Sequence, residues 1–208
     1  MKVLLLSPHT DDIELGAGGL VCRLLDEGCH TFKWIVFSRC EHSLSLAMPR
    51  DTLEREFYAS ADFLGIADRE LLDYGVRTMP ARRHEILDAL VQLRREFQPT
   101  LVVAPCLDDV HQDHATIAQE SLRAFKNSAT MLGYSLPWNN VAFNSRLLVR
   151  LTREQVWRKW QAIGHYRSQQ ELGREYFSWT FVSSWATTIG AQCGAPYGEA
   201  FEVLRAVV

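Results

Sequence analysis

Two short polar segments of this 208-residue chain concentrate groups able to do chemistry. Ser7-Pro8-His9-Thr10-Asp11-Asp12 follows a continuous apolar run that starts at Val3. Asp108-Asp109-Val110-His111-Gln112-Asp113-His114 follows a second run, Leu101 to Ala104. His9, Asp12 and His114 offer two imidazoles and one carboxylate. Three protein ligands with one position left open for water is the pattern of a catalytic zinc centre. A structural zinc site wants a fourth ligand, often Cys, and none is suitably spaced. Iron(II) or cobalt also fits such a set. Asp11, beside Asp12, is then free to take a proton from the water. His111 and Asp113 read as a second pair, an imidazole held by a carboxylate, suited to donate a proton or to face a developing oxyanion as a cation. Taken singly, an Asp-Asp pair is most often a turn or helix cap, and a HxxH often only lines a solvated helix. Both together, each directly after a buried strand, point to one site.

The elements that must position these groups follow from periodicity. Val3–Ser7, 32–38 and 101–104 are short apolar runs of the kind found in strands buried on both faces. A further short strand is expected at 71–74 and another at 146–151. Helical spacing of apolar residues predicts helices over 16–29, 50–65, 82–97, 111–126 and 153–166, with Gly28, Gly65 and Pro99 as stops. Strand and helix alternate through the first 126 residues. The expectation is an α/β, Rossmann-like domain spanning 1–208, with a mainly parallel sheet and helices on both faces. Ligands bind at the carboxyl edge of such sheets. That edge is where both polar segments fall, so residues a hundred positions apart can meet. Gly16, Gly18 and Gly19 do not have the GxGxxG spacing, so a dinucleotide-binding reading is disfavoured.

Composition narrows the classes. Apolar residues are 47% and charged residues 23%, with a formal charge of −3, so no basic face is advertised and nucleic acid is not an expected partner. Five Cys without a CxxC favour neither a disulfide framework nor a cysteine zinc site. No apolar stretch approaches the roughly 20 residues of a membrane span. The chain reads as a cytoplasmic protein with reduced thiols. Four of its six Trp (Trp157, Trp160, Trp179 and Trp185) lie in the last third and read as core or docking surface.

The motifs resemble those of the PIG-L/LmbE family of zinc-dependent N-acetylglucosaminyl deacetylases. That family has Pro-His-Pro-Asp-Asp after its first strand and His-x-Asp-His further on; here they stand as Pro8-His9-Thr10-Asp11-Asp12 and His111-Gln112-Asp113-His114. The likeness continues in Gly16-Ala17-Gly18-Gly19, the helix from Glu56 to Leu64-Gly65, Tyr166-Arg167-Ser168-Gln169 and Glu199-Ala200-Phe201. It implies a Rossmann-like fold, metal on His9, Asp12 and His114, Asp11 as general base, and His111 as acid or oxyanion stabiliser with Asp113 behind it. It also implies a zinc cofactor and, as substrate, an N-acetylglucosamine joined to another group, such as a nucleotide or a surface-polysaccharide precursor. Thr10 replaces the family's Pro and should loosen its loop slightly. Ile189-Gly190 stands where related sequences often have Arg-Gly. Arg50, Arg77 and Trp138 are candidate substrate contacts; the Arg residues read equally well as solvated charges, and Trp138 as packing. The expected reaction is hydrolysis of an acetamide. Its rivals are hydrolysis of another amide, such as that of a thiol conjugate, and a metal- or sugar-binding module without catalysis. The intact Asp11 speaks against the last, since binding needs no base.

Overall fold

The computed structural model describes residues 1–45 and 47–207; of the 208-residue domain expected from the sequence, Leu46 and Val208 lie outside the described residues. Seven strands form one sheet: β1 (Lys2–Ser7), β2 (Thr31–Val36), β3 (Arg69–Leu71), β4 (Leu101–Pro105), β5 (Thr130–Tyr134), β6 (Leu147–Leu151) and β7 (Tyr197–Arg205). Their spatial order is β3-β2-β1-β4-β5-β7-β6. The first five are mutually parallel, and β7 runs antiparallel to both β5 and β6.

Among the described residues seven α-helices pack around the sheet: α1 (Asp12–Glu27), α2 (Thr52–Leu64), α3 (Arg83–Phe97), α4 (Gln112–Phe125), α5 (Arg153–Ile163), α6 (Arg167–Glu171) and α7 (Trp179–Cys193). The period-2 pleat of β1 explains why both faces need covering. Val3 and Leu5 enter one core with residues of α1, α2, α5 and α7; Leu4 and Leu6 enter the other with Ile86, Leu90 and Leu93 of α3 and Ile117 and Phe125 of α4. No helix among the described residues is long and apolar enough to cross a membrane.

The expected α/β, Rossmann-like architecture is present, with corrections at its edges. β3 covers Arg69–Leu71, earlier than the 71–74 expected, and α5 ends at Ile163. α1 begins at Asp12, four residues before the expected start. Gly16, Gly18 and Gly19 lie inside this helix, where close neighbours leave little room for a side chain: a Cβ on Gly16 would stand 2.3 Å from the Tyr134 ring, and one on Gly19 2.3 Å from Leu151 and 2.8 Å from Glu199 Cδ. β5, β7 and α7 were not legible in the sequence. β7 carries Glu199 and Glu202 in its run, and α7 carries no charged residue to mark a polar face.

β1 pairs with β2 on one side and β4 on the other, while the chain proceeds outward to β3 in one direction and to β5 in the other. The crevice at the carboxyl ends of β1 and β4 is therefore the sheet's topological switch point, the place where such sheets bind ligands.

Candidate active site

Residues 8–12 leave β1 and enter α1, and residues 106–114 leave β4 and enter α4, so both polar segments open onto that crevice. Asp12 lies in the first turn of α1, and its Oδ2 accepts the His9 backbone N–H at 2.7 Å. Asp11 occupies the N-cap position but makes no side-chain capping bond, which leaves its carboxylate for other work. The loop between is held from a distance: the Tyr166 hydroxyl, from the C-terminal third, donates to the Thr10 carbonyl at 2.5 Å. Thr10 is buried and its carbonyl is tied by that bond, which acts against the loosening expected from the missing Pro.

Three atoms converge. His9 Nδ1 lies 3.0 Å from His114 Nε2, and Asp12 Oδ2 lies 3.5 Å from the former and 3.4 Å from the latter. Each ring is gripped from behind by a different carboxylate. His114 Nδ1 meets Asp109 Oδ2 at 2.8 Å, and His9 Nε2 meets Asp113 Oδ2 at 3.2 Å. A carboxylate accepts a hydrogen bond, so each rear nitrogen carries a proton, and the front nitrogen of a neutral ring presents a lone pair. Burial acts downwards on the His9 pKa, but Cys40, Asp113 and Asp12 outweigh it and hold it well above its usual value. The three facing atoms are a set that a cation would satisfy in place of that proton. Ligands at 2.0–2.1 Å around a tetrahedral metal sit about 3.3 Å apart, which matches the observed triangle. Carboxylates holding the far nitrogens of ligating His are the usual support of such a centre. The His111 ring also borders the cluster, with nitrogens of His9, His111 and His114 mutually within 4.8 Å. Asp12 Oδ2 and the His111 ring thus both adjoin the facing nitrogens of His9 and His114.

His111 itself is the N-cap of α4, and its Nδ1 accepts the Asp113 backbone N–H at 3.2 Å. With Nδ1 used as acceptor, Nε2 carries the proton and is a donor. Burial, together with the His9 and His114 rings, lowers the His111 pKa, so the neutral ring is favoured. This corrects the expected His111–Asp113 ion pair. The Asp113 carboxylate turns instead to His9 Nε2 and to the backbone N–H groups of Arg77 (2.6 Å) and Met79 (3.3 Å), because the helix start points it towards the 75–79 loop.

The acidities of the two adjacent aspartates are driven apart. Burial and the Asp12 charge raise the Asp11 pKa to about 6. For Asp12 burial also acts upwards, but His114 and His9 outweigh it and hold the carboxylate well below its usual range. One carboxylate is thereby held ionised, and the other is poised to exchange a proton near neutrality.

A cavity of about 270 Å³ opens above these groups. Besides His9, Asp11, Asp12, His111 and His114, its wall includes Arg77, Trp138, Arg174 and Tyr176. Trp138 stacks on Tyr176 with ring centroids 3.9 Å apart, so packing and cavity wall are the same ring. Arg50 does not border the cavity: its side chain is 72% exposed and lies 3.7 Å from Glu41. Asp109, Arg174 and Tyr176 had no role in the sequence reading, and Tyr166 entered it only through the family likeness. Asp109 was visible as part of its cluster, but nothing in the spacing says which carboxylate backs which ring.

A family model described as PIG-L, GlcNAc-PI de-N-acetylase, matches residues 4–125. The chain is 32% identical over 111 residues to a diacetylchitobiose deacetylase of Thermococcus kodakarensis; the alignment covers 50% of this chain and 40% of that protein, less than half its length. The fold is similar to that of the conserved protein TT1542 of Thermus thermophilus (TM-score 0.79, 26% identity, 99% of this chain and 96% of that one). It is equally similar to GalB, the 4-carboxy-2-hydroxymuconate hydratase of Pseudomonas putida KT2440 (TM-score 0.80, 21% identity, 100% and 97%). One scaffold thus supports a deacetylase and a hydratase, and the choice between chemistries rests on the site.

Proposed function

The chain belongs to the PIG-L family, and from that premise we propose that it is a metal-dependent amide hydrolase that removes an N-acetyl group from an N-acetylglucosamine-type sugar conjugate. The observation that carries this reading is the convergence of His9 Nδ1, His114 Nε2 and the Asp12 oxygen, each ring backed by its own carboxylate. His9, Asp12 and His114 would hold the metal. Zinc suits two imidazoles and a carboxylate, and iron(II) or cobalt would be accepted by the same set. A divalent metal held there supplies Lewis acidity and lowers the pKa of a water from 15.7 towards roughly 7.

The chain's own residues do the rest. Asp11, with its raised pKa, takes the proton of the attacking water as the new C–O bond forms at the acetamide carbon. His111 Nε2–H donates to the carbonyl oxygen as it becomes an oxyanion; a neutral, fixed donor serves this role without needing a charge. Asp113 and Asp109 keep the two ligating rings in the tautomers that present a lone pair. The C–N bond then breaks, and the proton held by Asp11 passes to the leaving nitrogen, giving acetate and an amine. Trp138, stacked on Tyr176, offers an aromatic wall to the sugar, and Arg77 a cationic one. We take residues 1–208 to act as one domain. We place it in the cytoplasm, since all five Cys are free, which suits a reducing compartment.

The test is acetate release by the metal-loaded protein from N-acetylated saccharides, sugar phosphates and nucleotide sugars. Release from at least one class, abolished by Asp11→Asn, is expected. A protein that holds its metal yet frees no acetate from any of them would defeat the proposal.

A further inference from the structure

We propose that Tyr166 is a positioning residue for the proton acceptor Asp11: its hydroxyl locks the peptide plane that leads into Asp11 and so fixes where that carboxylate points. This rests on the amide-hydrolase reading for the role of Asp11, but not for the contacts that hold it.

Asp11 has little else to aim it. It stands at the N-cap of α1 without a side-chain capping bond, so its backbone sets the direction of its side chain. A peptide unit is planar, so a carbonyl fixed at one residue also fixes the N–Cα bond of the next. Before Asp11, the Thr10 carbonyl accepts the Tyr166 hydroxyl at 2.5 Å. After it, the Asp11 carbonyl accepts the Leu15 N–H at 3.1 Å, a bond at the start of α1. Both peptide planes that flank Asp11 are therefore tied, one by the helix and the other by a side chain 156 residues from Thr10.

The phenol is itself held. Tyr166 is fully buried, and its oxygen lies 2.8 Å from Glu14 Oε1, which accepts the Ser60 hydroxyl at 2.6 Å. Glu14 stands on α1, Ser60 on α2 and Tyr166 at the N-cap of α6, so the phenol oxygen is fixed by parts of three helices. Packing alone does not ask for this. A Phe would fill the same core volume without a polar atom to satisfy. The cluster also leaves Glu14 Oε2 buried without a partner, a cost expected where position serves function. Among the described residues, those lining the cavity do not include Tyr166, so its influence passes through Thr10 and Asp11 and not through the substrate.

The experiment is a double-mutant cycle on the metal-loaded protein. Tyr166→Phe should lower kcat for acetate release about 10–100-fold, the cost of a misplaced catalytic group, with KM and metal content unchanged. In the Asp11→Asn background the same change should cost nothing further, because no base is left to misplace. A hydroxyl that serves stability alone would lower both backgrounds alike. A second readout needs no turnover. By 15N relaxation the Asp11 amide should drop from the rigid range near ~0.85 in order parameter towards ~0.6 in Tyr166→Phe, while the Leu15 amide stays rigid. Should Tyr166→Phe fail to fold, Ser60→Ala, which loosens Glu14 from behind, goes through the same cycle with the same signs. An additive loss in the two backgrounds, or an unchanged Asp11 order parameter, would overturn the proposal. If the parent protein frees no acetate, the hydrolase reading falls, and the order parameter alone decides whether Tyr166 holds Asp11.

Discussion

The Asp113 carboxylate faces His9, 104 residues away, and not His111, two residues before it: Oδ2 of Asp113 lies 3.2 Å from His9 Nε2, while His111 receives only the Asp113 backbone N–H. Asp113 therefore holds the His9 ring and the Arg77 loop at once. Removing its charge with Asp113→Asn should weaken metal binding by about 10–100-fold and so should Asp109→Asn, the range for groups that support a ligating ring. His9→Ala, Asp12→Ala and His114→Ala should each strip the metal outright. Elemental analysis with competing chelator decides the matter, and unchanged metal content in all three Ala variants would remove the centre.

Asp11→Asn should retain the metal and lose at least 100-fold in turnover, since the amide has a similar shape but cannot accept the proton. The sign of the pH dependence follows from the raised pKa. The base must be ionised, so kcat/KM rises with pH through about 6 and levels off above it. A bound dication favours the carboxylate, so the limb should lie no higher than that value. A limb that persists unaltered in Asp11→Asn would assign it to another group.

His111→Ala should lower kcat by about 10²–10³-fold with metal retained, the cost of one oxyanion donor. Because the neutral ring is already favoured and Nε2 already carries its proton, no high-pH limb should belong to His111. Loss of an alkaline limb in His111→Ala would restore the cationic role that the sequence suggested.

Glu14 is buried with its Oε1 bonded to Ser60 at 2.6 Å and Tyr166 at 2.8 Å, while its Oε2 has no partner. Burial raises its pKa to about 8, above the unfolded value near 4.5. The folded state then holds a proton that the unfolded chain has lost, so stability falls as pH rises between those two values. Glu14→Gln keeps an acceptor for the Ser60 hydroxyl and cannot ionise. Its melting temperature should drop less than the parent's between pH 5 and pH 9; parallel curves would count against the raised pKa.

Lys159 donates to Glu199 and to the Leu15 carbonyl, each at 2.7 Å, and Glu199 accepts the N–H groups of Gly19 and Leu20. This buried pair joins α5 and β7 to the helix that carries Asp12. Lys159→Met leaves Glu199 uncompensated and should cost about 3–5 kcal/mol in denaturant unfolding, with part recovered in Lys159→Met/Glu199→Gln. An unchanged midpoint in the single variant would show that the pair carries no weight.

Much of the site was legible because its information is local. His9, Asp11, Asp12, His111 and His114 each follow a run of buried strand, and a parallel sheet delivers strand ends to one edge. The alternation of strand and helix to residue 126 likewise follows from side-chain periodicity along the chain. What only the tertiary structure decided is which partner each group meets. Asp109 and Asp113 are both one short step from an imidazole in sequence, yet the angle at which α4 leaves its loop turns one to His114 and the other to His9. Arg174, Tyr176 and the Tyr166 clamp reach the crevice from the C-terminal third across contacts more than 150 residues apart in the case of Tyr166 and Thr10. Such contacts leave no period in the sequence. They depend on how α5, α6 and α7 pack on a sheet whose last strands run antiparallel, and only the closed core fixes that geometry.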